Sequence, residues 1–201
     1  MTEPRARAIM GAAIEDYGLI GDCESVALVA RNGSIDWLCW PRFDSPACFA
    51  ALLGTPANGR WLIAPASEVT QTSRKYRAHT LILETRFATA DGEVTVIDFM
   101  PPRNGHSELI RIVRGESGQV HMQMDLVLRF DYGLSVPWIS SIGETLLQAI
   151  AGPDLIVING GVPLTHGDGT VKAEFDVRAG ETVPFVIMHG PSHHPTPWPI
   201  S

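Results

Sequence analysis

The chain has 201 residues, 45% of them hydrophobic, which is enough for one domain with a well-buried core. Its formal net charge is −7, from 15 Lys and Arg against 22 Asp and Glu, and the basic residues form no cluster. Nucleic-acid phosphates and anionic membranes would be repelled, so we expect neither as a partner. No apolar run approaches the roughly 20 residues that a bilayer span needs.

The N-terminal sequence weakly resembles a signal peptide. Arg5 and Arg7 precede the apolar residues 8–14, but Glu15 and Asp16 follow where small cleavage-site residues should lie. We therefore expect no cleaved leader, and we interpret residues 1–13 as an N-terminal extension.

The three cysteines are odd in number and lack C-x-x-C spacing: Cys23, Cys39 and Cys48. A disulfide framework or a zinc knuckle does not fit this pattern. Buried free thiols in a reducing compartment do fit it, so we expect a cytoplasmic protein.

The strand signals come next along the chain. Apolar side chains recur at every second position in residues 120–128 and 171–177, which places one face of each strand on a core. A short helix is expected near Ala47 to Leu53. Turn signals separate the strands at Asn32-Gly33, Asp91-Gly92, Gly115 to Gly118, Asp168-Gly169 and Ala179-Gly180.

These signals predict roughly ten to thirteen strands joined mostly by hairpins. Only sheet-on-sheet packing hides that many apolar faces. The expected fold is therefore all-β, an antiparallel two-sheet β-sandwich (a supersandwich) over residues 14–190, with at most one or two short helices. A closed barrel is the alternative. Alternate prolines in residues 191–201 indicate a stiff linker.

Several ordered segments carry a family resemblance. Residues 14–22 (IEDYGLIGD) lead into residues 32–46 (NGSIDWLCWPRFDSP), and shorter matches follow at 80–85, 98–101 and 129–133. Together they resemble the opening of the bacterial trehalase-like and glucoamylase-like proteins of glycoside hydrolase family 15. The resemblance extends over residues 14–190.

This resemblance implies an N-terminal β-sandwich followed by an (α/α)6 barrel that holds two catalytic carboxylates. Such enzymes hydrolyse α-glucosidic bonds with inversion. The family's catalytic residues have no matching positions here, so none is assigned, and neither a metal nor a cofactor is expected. The first hypothesis is a non-catalytic domain that packs on the barrel of the same polypeptide and shapes its active-site entrance.

Two further hypotheses remain open. One is an independent carbohydrate-binding module that holds an α-glucoside on aromatic surfaces. The other is a stand-alone glycosidase that uses Asp44, Asp131 or Glu84. An adjacent arginine lowers a carboxyl pKa, which is wrong for a general acid, so the second is the weaker.

The motif Arg-Phe-Asp occurs twice, at residues 42–44 and 129–131. In an extended segment Arg and Asp share one face while Phe points inward. The two segments either contribute sugar or domain contacts on a common rim, or hold structural Arg–carboxylate pairs. The candidate substrate or interface residues are Trp40, Arg42, Asp44, Arg129, Asp131 and Trp138.

Three further expectations concern tryptophan, apolar and histidine side chains. Trp37 and Trp40 differ by three positions, so on one strand they face opposite sides. A face made for a barrel should leave an exposed apolar patch, which could also support a homo-oligomer. His189, His193 and His194 are expected in a solvated linker rather than a metal site.

Overall fold

The computed structural model describes residues 12–193. Their regular structure consists of fifteen β-strands and four three-residue 3-10 turns, and no α-helix occurs among them. The all-β class is confirmed. The strand count exceeds the predicted one because three-residue strands carry too little pattern to be recognised.

The strands in chain order are β1 (Tyr17–Gly21), β2 (Val26–Ala30), β3 (Ser34–Cys39), β4 (Ala47–Phe49), β5 (Arg60–Pro65), β6 (Gln71–Tyr76), β7 (Leu83–Ala88), β8 (Gly92–Phe99), β9 (Ser107–Val127), β10 (Trp138–Ser141), β11 (Leu146–Ala151), β12 (Asp154–Gly160), β13 (Thr165–Gly167), β14 (Thr170–Arg178) and β15 (Thr182–Pro191). The 3-10 turns are Ile14–Asp16, Ala51–Leu53, Pro56–Asn58 and Asp131–Gly133.

The strands form two antiparallel sheets that share β9. The first sheet has the order β1-β2-β3-β5-β9-β14-β13, with β4 also on β3. The second has the order β6-β7-β8-β9-β15-β12-β11-β10. Residues 119–127 of β9 pair in the first sheet, and its earlier residues pair in the second.

The change of sheet takes place at Gly115 to Gly118, where the sequence predicts a hairpin. That prediction is wrong, since the segment continues within β9. A Cβ on Gly118 would lie 2.0 Å from the carbonyl oxygen of Asp91, and one on Gly115 would lie 2.0 Å from that of Arg178. Glycine serves close backbone approach here rather than chain reversal.

The main hydrophobic core of residues 12–193 lies between the sheets, and a small second cluster surrounds Cys39, Ala47 and Ala50. The alternating residues of 120–128 and 171–177 point into the main core as predicted. The turn at Asn32-Gly33 joins paired β2 and β3, and that at Asp91-Gly92 joins paired β7 and β8, also as predicted. The turn at Ala179-Gly180 instead connects strands of different sheets.

A buried ion pair ties the sheets together. Arg111 on β9 and Asp98 on β8 are fully buried, with Arg111 Nε 2.7 Å from Asp98 Oδ1. The guanidinium also donates to the carbonyl oxygens of Trp61 (2.6 Å) and Gly33 (2.7 Å) in the first sheet, and it lies 5.2 Å from the ring centre of Trp61. No sequence pattern pointed to this pair.

Two local predictions are wrong. The helix expected from Ala47 to Leu53 is strand β4 followed by the 3-10 turn Ala51–Leu53, because pairing with β3 captures the first residues. Cys39 and Cys48 are buried free thiols as expected, but Cys23 is exposed, in a turn at φ 73°.

The ends of the expected domain are only partly described. β15 runs to Pro191, so the first residue of the predicted linker still pairs, with Asp154. Residues 194–201 lie outside the described residues, as does most of the extension 1–13.

Candidate functional site

The first Arg-Phe-Asp segment lies in the loop after β3. Arg42 Nε donates to Asp44 Oδ1 at 3.1 Å, and both side chains are exposed. The hydrogen bond from Arg42 lowers the pKa of the Asp44 carboxyl. Phe43 is 56% exposed and does not point inward as predicted, because this segment turns instead of staying extended.

The second Arg-Phe-Asp segment differs from the first. Arg129 Nη1 donates to the carbonyl oxygens of Leu128 and Gly169, each at 2.7 Å, and not to Asp131. The predicted second Arg–carboxylate pair is therefore wrong. Phe130 is buried, as predicted. Arg129 therefore holds two backbone segments in place through their carbonyl oxygens. Asp131 belongs to the turn that follows.

That turn has an uncommon backbone. Asp131 (φ 54°), Tyr132 (φ 59°) and Gly133 (φ 102°) are consecutive left-handed residues. Each non-glycine residue in this region costs on the order of 1–3 kcal/mol, so it persists only where the surroundings enforce it. Here Phe130 and Ser135 exchange backbone hydrogen bonds of 2.8 and 3.0 Å across the turn.

Side chains also enforce the turn. The Tyr132 ring centre lies 6.3 Å from that of Trp37. Gly133 lies so close to Asn58 that a Cβ added to the glycine would be 2.9 Å from Asn58 Nδ2. Within residues 12–193, nothing donates a hydrogen bond to the Asp131 carboxylate, and this side chain is exposed.

The two loops meet at a depression of about 350 Å³, which we call the loop depression. Its walls are residues 40–41 and 45–46 of the first loop, residues 130–131 and 135 of the second, and residues 151–154 between β11 and β12. Trp40 and Asp131 therefore lie at one site, while Arg42, Asp44 and Arg129 do not line it.

Trp40 is buried and lies against a histidine that sequence reasoning placed in the linker. The ring centres of Trp40 and His189 are 5.9 Å apart. His189 is a buried residue of β15 whose Nε2 lies 2.9 Å from Asp154 Oδ1. The expectation of a solvated His189 is wrong. His189 falls at the same every-second position of β15 as Val183, Phe185 and Ile187. This spacing in the sequence could have identified it as a strand residue.

A neighbouring hollow shares Pro41, Pro153 and Asp154 with the loop depression. Arg103 lies on it and is bound to Asp22 Oδ2 at 2.7 Å and to the carbonyl oxygen of Pro41. This arginine ties the turn after β1 to the loop after β3, and it thereby holds one wall of the depression.

Trp138, the last candidate residue, is 77% exposed at the start of β10. It ends a segment in which every second side chain is apolar and exposed. We call this segment the apolar rim: Tyr132, Leu134, Val136 and Trp138. Among residues 12–193, no group of three or more potential ligands could hold a metal ion. Nor does any helix there have the length and apolar character needed to cross a membrane.

The amino-acid sequence is similar to a described protein family and to several trehalases. The family described as "Trehalase-like, N-terminal" matches residues 5–183. The chain is 34% identical over 164 residues to a trehalase of Mycolicibacterium smegmatis, and 32% identical over 164 residues to one of Mycobacterium tuberculosis. Each alignment covers 70% of this chain and 24% of the relative.

An archaeal protein shows the same relation. Trehalase 1 of Sulfolobus acidocaldarius is 38% identical over 124 residues, which cover 62% of this chain and 21% of that protein. The chain thus corresponds to about a quarter of the length of the relatives that it matches.

Proposed function

Because the chain belongs to the trehalase-like N-terminal family, we propose that it is the non-catalytic N-terminal domain of a glycoside hydrolase of family 15. The enzyme would hydrolyse α-glucosides, as a trehalase or a glucoamylase does. The domain would pack on the (α/α)6 catalytic domain of the same polypeptide and shape the entrance of its active site. The similarity to trehalases over about a quarter of their length supports this.

The observation that carries the proposal is the apolar rim. In residues 132–138, exposed and shielded side chains alternate as they do in a half-buried strand. Here, however, the large apolar side chains are the exposed ones. Leu134 is 83% exposed and Trp138 77% exposed, whereas Ser135 is half-buried and Pro137 is buried. A run of large apolar side chains in solvent is typical of a surface that a partner covers.

The chemistry of the carboxylates also fits a non-catalytic role. An inverting glycosidase needs a general acid with a raised pKa. Hydrogen bonds from Arg42 and Arg77 instead lower the pKa values of Asp44 and Glu84. Asp44 and Glu84 therefore stay ionised near neutral pH and are poor candidates for the general acid.

A glucose-release assay tests the absence of catalysis. The 201-residue chain is incubated with trehalose, maltose and kojibiose, and we expect no release above background. Glucose release that disappears in Asp44→Asn or Asp131→Asn would contradict the proposal and support a stand-alone glycosidase. An Arg86→Met variant, which breaks only an exposed ion pair and leaves both carboxylates in place, is the matched control. Glucose release that persists unchanged in Asp44→Asn and Asp131→Asn would identify a contaminating enzyme.

The same proposal includes a cytoplasmic location. Cys39 and Cys48 are buried, unbridged thiols, and burial raises the pKa of each. Neutral buried thiols persist where the compartment is reducing. Labelling of free thiols in protein unfolded directly from cell lysate should therefore recover both cysteines fully reduced.

A further inference from the structure

We propose that the loop depression binds a neutral sugar ring, with Asp131 and Asp154 accepting hydrogen bonds from its hydroxyls. This goes beyond the accessory role, since the chain alone would bind the sugar. The depression has a volume of about 350 Å³, within the range of small-molecule sites. It lies where three separate segments of the chain meet.

The first argument is the presentation of Asp131. Its left-handed backbone and that of Tyr132 are held by the Phe130–Ser135 hydrogen bonds and by the contact of Tyr132 with Trp37. Backbone strain that the surroundings enforce is concentrated at binding sites. The strained turn fixes a carboxylate that has no donor among the described residues, so its acceptor capacity is available to a ligand.

The second argument is the support behind Asp154. His189 Nε2 lies 2.9 Å from Oδ1 of this carboxylate, and the His189 ring packs on Trp40. The histidine therefore fixes the orientation of Asp154. The hydrogen bonds of residues 12–193 leave Oδ2 without a donor. An oriented acceptor of this kind is what a sugar hydroxyl needs.

The third argument is the chemistry of the remaining wall. Pro41, Pro46 and Pro153 present aliphatic rings, and Ser45 and Ser135 add hydroxyl-bearing residues. No Lys or Arg lines the depression, so an anionic ligand would meet two carboxylates without a counter-charge. Two carboxylates are also too few to complete the shell of a calcium ion. A neutral polyhydroxy ring satisfies both the acceptors and the aliphatic surface.

The test is a titration of the isotope-labelled 201-residue chain with trehalose, maltose and glucose, followed by amide chemical shifts. Sugar concentrations reach about 100 mM, because weak sites bind in the millimolar range. We expect saturable shifts at residues 40–46, 130–135 and 151–154. Glycerol at equal concentration should give no saturable shifts there.

The deciding variant is Asp131→Asn. Asparagine tolerates the left-handed region, so the turn is retained while the charge is removed. We expect affinity to fall about tenfold, the effect of weakening one charged hydrogen bond. Asp44→Asn, on the facing loop but outside the depression, is the matched control and should bind as the unchanged chain does.

Two results would overturn the inference. One is the absence of saturable shifts with all three sugars; the other is equal affinity in Asp131→Asn and the unchanged chain. Neither result bears on the docking of the apolar rim, which is measured separately. Conversely, sugar binding without docking would favour an independent carbohydrate-binding module.

Discussion

At the scale of single residues, the buried Arg111–Asp98 pair is the feature with the largest expected effect on stability. Arg111→Met leaves Asp98 as an unpaired buried charge and removes two hydrogen bonds to the first sheet. We expect a loss of about 3–5 kcal/mol in the free energy of unfolding, measured by urea titration.

The control for this variant is Arg86→Met, which breaks an exposed ion pair with Glu93 on the same sheet. Exposed pairs contribute less than about 1 kcal/mol. Similar losses in the two variants would show that the buried pair does not tie the sheets together.

Residue-scale prediction from the sequence was uneven for a physical reason. The Arg42–Asp44 contact was recognisable because two positions on one short segment determine it. Arg111 reaches Trp61 and Gly33 through the fold, 50 and 78 positions away in the chain, and His189 reaches Asp154 across paired strands. No local pattern contains partners of this kind.

At the scale of elements, the crossing of β9 between sheets depends on glycine. Gly118 has φ 63°, and a Cβ there would lie 2.0 Å from the Asp91 carbonyl oxygen. Gly118→Ala should therefore cost at least about 3 kcal/mol, since steric overlap adds to the backbone strain. Thermal or urea unfolding measures the loss.

Gly152→Ala is the matched comparison, because φ is 59° there but nothing lies within 4 Å of the added Cβ. Only the backbone cost of about 1–2 kcal/mol is expected. Equal losses in the two variants would mean that close backbone approach at the crossing is unimportant.

A second prediction at this scale concerns acid stability along β7 and β9. The pKa of Glu84 is lowered chiefly by the hydrogen bond from Arg77, and that of Glu116 chiefly by the hydrogen bond from Thr95, with Arg114 adding to it. A carboxyl with a lowered folded pKa stabilises the fold above its unfolded value, near 4.5, and this stabilisation is lost as pH falls through the folded value.

Urea midpoints measured from pH 7 down to about pH 3 should therefore fall steeply below about pH 4.5. In the double variant Glu84→Gln with Glu116→Gln the fall should be shallower. Asp44→Asn should leave the profile unchanged, because that pair is fully exposed to solvent. A profile that the double variant does not alter would contradict the assignment.

The sequence predicted strands correctly where a strand keeps one face buried along its length. The alternation in β14 and in the second half of β9 identified both strands and their inward faces. The pattern misled at Gly115 to Gly118, because glycine favours a turn and a close crossing equally. It also misled at β4, where pairing with β3 outweighed helical preference.

At the scale of the whole molecule, the described part of the sandwich carries two candidate surfaces close together, the apolar rim and the loop depression. The apolar rim adjoins the loop depression through Asp131 and Tyr132, so docking and sugar binding would occur side by side. A catalytic domain seated on the rim would place its edge next to this turn. That arrangement is how the domain would shape an active-site entrance.

The central claim is tested most directly by sedimentation velocity of the chain mixed with the separately expressed part of the Mycolicibacterium smegmatis trehalase that lies outside the aligned quarter. We predict a one-to-one complex for the unchanged chain, and its loss in the double variant Leu134→Asp with Trp138→Asp. The control Leu53→Asp, at another exposed leucine outside the rim, should keep the complex. No complex with the unchanged chain, or equal complex formation by the double variant, would contradict docking through the apolar rim.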